Sequence, residues 1–190
     1  MKKKTNIFLV LGILLILGSM AWLMYSQIYA RHAQTTAKQL TAQIEVLLPE
    51  RYAAVAEAYA NPDMPVLQVK GIDFSALIEV PAFGVTLPVC SEWNTELLHD
   101  FPCRFSGSTY SNSLIIGGSD QYGQFDFFTQ LDTGELIIIT DMLGAEYTYT
   151  AERIERSKSA DYSRLSSADY PLTLFVRDSY SMDYILVRCK

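Results

Sequence analysis

The sequence predicts a mainly β fold, a closed barrel or sandwich of seven or eight short strands, carried on an N-terminal membrane helix and a helical stalk. Three observations carry it. A charge-free apolar run follows the first lysines, two helix-patterned segments come next, and from Val66 onward the chain turns to short β-branched and aromatic runs broken by turn residues.

The apolar run extends from Ile7 to Tyr25, with Ser19 its only hydroxyl before Tyr25. As a helix it would rise about 28 Å, close to the hydrocarbon thickness of a bilayer. Lys2, Lys3 and Lys4 at one end, and Trp22, Tyr25 and Tyr29 at the other, favour a cytoplasmic N-terminus. Ile28-Tyr29-Ala30 is a poor cleavage site and the run exceeds a signal-peptide core, so the helix is expected to be retained. The expected organisation is a cytoplasmic N-terminus over residues 1–6, a transmembrane helix over 7–25, a helical stalk or barrel cover over 26–65 and a β domain over 66–190.

With Lys2, Lys3 and Lys4 set aside, the formal net charge of −6 becomes −9 for everything beyond them. That excludes a nucleic-acid footprint and any broad attraction to anionic surfaces. Cys90, Cys103 and Cys189 form no C-x-x-C, and His32 and His99 stand far apart, so neither a metal site nor a cofactor is expected.

In the stalk, Leu40, Ile44, Leu47 and Leu48 give Arg31–Leu48 an apolar stripe at helical spacing, which Pro49 ends. Arg51–Ala60 is a second, alanine-rich helix, stopped by Asn61-Pro62. The strand candidates are Phe74–Val80, Val85–Val89, Ser113–Gly117, Glu135–Thr140, Glu146–Glu155, Leu172–Val176 and Tyr184–Cys189. Asp141-Met142-Leu143-Gly144 is a hairpin loop in which Gly144 supplies the positive φ. Tyr147, Tyr149 and Ala151 alternate with Glu146, Thr148, Thr150 and Glu152, which marks one wet sheet face. Short helices fit Asn94–His99 and Gln124–Gln130.

Six pieces in order resemble the sortases, membrane-anchored cysteine transpeptidases of mostly Gram-positive bacteria, and among them a class B-like, clostridial-type subgroup. Ala76–Pro81 with Gly84–Val89 resembles the opening hairpin. Ser91-Glu92-Trp93 and Pro102–Ser108 resemble the S-E-W and P-C-R-Y-S-G-S segments, and Phe128–Leu131 with Gly134-Glu135 resembles F-x-x-L-x-x-G-(D/E). Leu172–Arg177 resembles the strand that ends in the catalytic cysteine, and Leu186–Cys189 the closing strand. The match covers Ile72 to Cys189 and implies a sortase-like barrel.

It also implies that the chemistry is gone. Arg177 stands at the cysteine position, Ser119 at the histidine position and Tyr184 at the arginine position. An always-protonated guanidinium is no nucleophile, and an unactivated hydroxyl needs a base beside it. The expectation is therefore a membrane-anchored, extracellular pseudoenzyme of the cell surface that binds a sorting-signal-like peptide, a surface protein or an active sortase. The cleft candidates are Gly118, Ser119, Asp120, Arg177, Asp178 and Tyr184. An ion pair from Arg177 to Asp120, Asp178 or Asp126 is expected, and a Cys103–Cys189 disulfide, with Cys90–Cys103 the other pairing. Two alternatives stand beside this expectation: a transpeptidase or hydrolase working through Ser119, and a purely structural protein at the membrane surface.

Overall fold

The computed structural model describes residues 2–48 and 63–190, with side chains over 10–25, 35–48 and 63–190. Helix α1 spans Lys2–Leu47 without a break. The apolar run and the first stalk helix are thus one helix rather than two, because neither Pro nor Gly stands between Ser19 and Pro49. The expected second stalk helix lies outside the described residues.

Large apolar side chains from Val10 to Tyr25 are exposed, Trp22 by 74 %. Among the described residues no helix is long and apolar enough to cross a membrane; Ile7, Phe8 and Leu9, which begin the apolar run, lie outside the described side chains. The C-terminal third of α1 packs on the β domain through Ala37, Leu40, Thr41 and Ile44, all buried. Leu47, expected on that stripe, is exposed in the last turn.

Among the described residues nine strands follow: β1 (Leu67–Val69), β2 (Ile72–Val80), β3 (Val85–Cys90), β4 (Cys103–Ser106), β5 (Leu114–Ser119), β6 (Leu136–Asp141), β7 (Glu146–Ser157), β8 (Leu172–Arg177) and β9 (Tyr184–Cys189). Their order is β1-β2-β3-β4-β5-β8-β9-β7-β6, and β2 also pairs with β6. Strands β2 to β9 therefore close an eight-stranded barrel, and β1 extends the edge of β2 beside it. The closure is antiparallel, Ala76 facing Asp141 and Glu79 facing Ile138. Closing the sheet leaves no long unpaired edge among these strands.

Strands β5 and β8 run parallel, a pairing made possible by the long connection through the β6–β7 hairpin on the far side of β9. The barrel interior is filled by Phe74, Ile78, Ile116, Ile137, Ile139, Leu174 and Val187. Outside, β5, β8 and β9 are covered again by a second apolar cluster of Ile115, Leu165, Phe175 and Leu186. This explains why their sequences are apolar at nearly every position instead of alternating. The short helix α2 (Tyr162–Leu165) supplies Leu165 and is pinned by Arg188, whose guanidinium donates to the Leu165 carbonyl and to Thr173 Oγ1.

Candidate functional site

The strand register fixes the site. Ser119 ends β5, Arg177 ends β8 directly across from it, and Tyr184 begins β9 directly across from Arg177. Three residues from distant parts of the chain thus form one row at one end of the barrel. Beside the row opens a cleft of about 340 Å³, bordered by Gly118, Ser119, Asp120 and Arg177 on the strand side, and by Thr95, Leu98 and His99 on a loop opposite.

Glycine is required on the floor. A Cβ at Gly117 would stand 2.5 Å from both Phe175 and Trp93, and one at Gly118 would overlap the Phe125 ring. The pair lets aromatic side chains close on β5 from both faces, with Trp93 stacked on Phe175 at 5.6 Å between ring centroids.

The opposite side is a loop, residues 91–102, that leaves β3 and returns as β4. Asn94 Oδ1 accepts from the amides of Glu96 and Leu97, which starts the 3₁₀ turn Leu97–His99. Gln124, nearly fully buried, joins floor to side: its Oε1 accepts from the Ser119 amide and its Nε2 donates to the Leu98 carbonyl at 3.1 Å. Sequence reasoning missed Gln124, His99, Ser179 and Met182, the last three of which also border the cleft. Nothing in the spacing signals His99, since loop 91–102 reaches the cleft only because β4 pairs with β5 and brings the loop against it.

Four of the six expected cleft residues, Gly118, Ser119, Asp120 and Arg177, border it; Asp178 and Tyr184 do not. Asp178 turns away into the β8–β9 loop and is held well below the usual carboxylate range by a hydrogen bond from Ser181 Oγ, then by Arg156 at 2.9 Å and the Tyr180 amide. Tyr184 lies behind Arg177, its ring centroid 6.0 Å from the guanidinium carbon.

The expected Arg177 ion pair is absent among the described residues, and the physical reason is competition. Both Asp120 oxygens accept from Ser179, the amide at 2.6 Å and Oγ at 2.8 Å. Asp178 is taken by Arg156. Asp126 borders a different cavity, of about 370 Å³, with Lys38 and Phe83. Arg177 therefore presents an exposed guanidinium at the cleft's edge, resting on an aromatic ring.

The cysteine expectation is corrected too. All three thiols are free and buried. Cys103 pairs in register with Cys90, while Cys189 lies on β9, with β5 and β8 between it and β4. Three strand spacings amount to about 14 Å along the sheet, twice the reach of a disulfide's Cα atoms at about 7 Å.

Chemically, the cleft offers one cation, one carboxylate that Ser179 already engages, several hydroxyls and one imidazole. His99 Nε2 faces Gln121 Nε2 at 2.9 Å, and His99 Nδ1 faces Asp100 at 3.3 Å. Among the described residues the Ser119 hydroxyl meets no base, and no group of three acidic, histidine or cysteine side chains could hold a metal ion.

No family model matches the chain, and no curated protein matches it. Solved structures do. A Clostridium perfringens sortase D5 transpeptidase superposes with TM-score 0.63 at 17 % identity, over 82 % of this chain and 98 % of the other. Sortase C1 of Streptococcus agalactiae gives 0.56 at 18 %, over 84 % and 87 %, and sortase A of Corynebacterium diphtheriae 0.53 at 17 %, over 84 % and 82 %. The chain has the sortase-like fold.

Proposed function

We propose that this chain is a sortase-family protein of the cell surface that has kept the cleft and lost the reaction, and that it binds an extended peptide carrying an acidic group. The observation that carries the proposal is the level row Ser119, Arg177 and Tyr184 beside an open cleft. By the family resemblance these three residues occupy the places of the histidine, cysteine and arginine. A thiolate would attack a carbonyl there; the guanidinium attracts a carboxylate instead. Removing the side chain in Arg177→Ala is expected to weaken binding of a sorting-signal-type peptide with an acidic residue by about tenfold or more. Arg177→Lys would retain part of the affinity and raise its salt sensitivity. Isothermal titration decides it, and equal affinity for native and Arg177→Ala chains would overturn the role.

The placement belongs to the same proposal: a single-pass anchor formed by the first part of α1, N-terminus in the cytoplasm and barrel outside. It is supported by the exposed apolar side chains from Val10 to Tyr25 and by the three lysines before them. A reporter fused after Lys190 is expected to work only outside the cell. Activity confined to the cytoplasm would sink this placement.

One observation favours a second reading. His99 borders the same cleft as Ser119, and an imidazole brought to the hydroxyl would supply the base it lacks. Peptide cleavage by the native chain, abolished in Ser119→Ala, would replace the binding protein with a serine-dependent enzyme.

A further inference from the structure

Cys90 ends β3 and Cys103 begins β4, and the only ladder contact between these two strands is the pairing of the two cysteines with each other. The Cys90 amide donates to the Pro102 carbonyl at 2.9 Å, which holds the two backbones at strand spacing. Neighbouring strands lie about 4.8 Å apart, inside the Cα separation of about 4.4–6.8 Å that a disulfide needs. Both side chains point into the same buried cluster.

Between them runs the whole of loop 91–102, which carries Thr95, Leu98 and His99 to the cleft and Trp93 onto Gly117. Apart from the cysteine pair, its base is tied by Arg104 Nε donating to the Ser91 carbonyl at 2.7 Å. We infer that Cys90 and Cys103 form a disulfide that staples the base of this loop and so fixes one side of the cleft.

The thiols are suited to the step. The interaction of the two thiols with each other pulls Cys103 below and pushes Cys90 above the ordinary thiol range, which favours Cys103 as the attacking sulfur. Its thiolate attacks one sulfur of a small disulfide such as glutathione disulfide, breaking that S–S bond and expelling one glutathione thiolate, which takes up a proton. Cys90, losing its proton to solvent, then attacks the Cys103 sulfur and expels the second glutathione. The protein's two thiols lose two electrons and two protons, and the glutathione disulfide gains both. Burial requires that exchange happen as the chain folds or as the loop opens. It leaves Cys189 aside, a thiol pushed up to about 12 by burial on the far side of β8. An oxidising setting for this bond rests on the extracellular placement proposed above.

The full-length chain in detergent, unfolded and refolded in glutathione redox buffers, tests the inference without reference to where the protein resides. The thiol count under denaturing conditions is expected to fall from three to one, and peptide mapping to join Cys90 to Cys103. Amides of residues 91–102 are expected to exchange hydrogen about tenfold more slowly, or slower still, in the oxidised form. Three thiols at every ratio, a stalled mixed disulfide with glutathione, a bridge that includes Cys189, or unchanged exchange over 91–102 would each overturn it. Because none of these readouts involves peptide or membrane topology, failure here is separable from failure of the binding proposal.

Discussion

The triple variant Arg177→Cys, Ser119→His, Tyr184→Arg is expected to form a thioester acyl-enzyme with a sorting-signal peptide, while the unaltered chain binds the peptide and forms none. The strand register is the reason. Residues 119, 177 and 184 face one another across three adjacent strands, so the substitutions would place a thiol between an imidazole and a guanidinium without moving the backbone. The cleft beside them is open, and Ser119 is tied to Gln124 only through its amide, which any residue retains. In a comparable catalytic triad, losing the nucleophile, the histidine or all three members costs on the order of 10⁶ in turnover. A gain of several powers of ten over the native chain is therefore expected. Intact-mass spectrometry reads the adduct, and thermal unfolding checks that the barrel survives. A folded triple variant that forms no adduct would mean that the cleft does not present peptides in the way the resemblance implies.

Most of the barrel is legible in the sequence because its strands are either alternating or continuously apolar. Tyr184–Cys189 has the same limits in the structure; β2, β3, β7 and β8 run one or two residues longer at one end, and β5 and β6 are shifted by one or two residues at both ends. The strands that sequence reasoning missed are β1 and β4, of three and four residues. β4 has only four residues between Pro102 and Gly107, too few to show a strand pattern. What holds it is a partner on each side, β5 and the Cys90 contact, and neither has a local sequence signal.

The row Ser119, Arg177 and Tyr184 was legible only through the family resemblance. Its surroundings were not. Sequence nearness puts Asp120 and Asp178 beside Arg177, but alternation along a strand sends Asp178 to the other face, and a backbone amide with a serine hydroxyl claims Asp120. His99 is twenty residues from Ser119 and reaches the cleft because loop 91–102 folds over β5. The cysteine pairing failed for the same kind of reason: spacing along the chain says nothing about a parallel register.

Replacing Asp141 is expected to be the most damaging single polar substitution in the barrel. Asp141 is fully buried at the seam where β6 meets β2, opposite Ala76, and at the start of the β6–β7 hairpin. Its Oδ1 accepts from the amides of Leu143 and Ala145, both at 2.9 Å, and its Oδ2 from the Tyr110 hydroxyl at 2.7 Å. Asp141→Ala leaves three half-buried donors without their acceptor, a cost of about 3 kcal/mol when each stranded group is counted at the low end of roughly 1–3 kcal/mol. Asp141→Asn keeps the acceptor for the two amides, and Tyr110 can turn to accept from the new amide, so the expected loss is nearer 1 kcal/mol. Denaturant midpoints at unchanged m-value measure both. The Tyr110 hydroxyl is held above its ordinary range by burial first and by the Asp141 hydrogen bond second. A raised folded value means that its contribution is complete below about pH 10 and is lost as pH climbs through the higher folded value. Tyr110→Phe should abolish that alkaline loss. In a double-mutant cycle it should also recover part of the Asp141→Ala deficit, since one of the three stranded donors is then gone. An Asp141→Ala chain within about 1 kcal/mol of native, or additive effects of the two changes, would show that the seam is not held by this carboxylate.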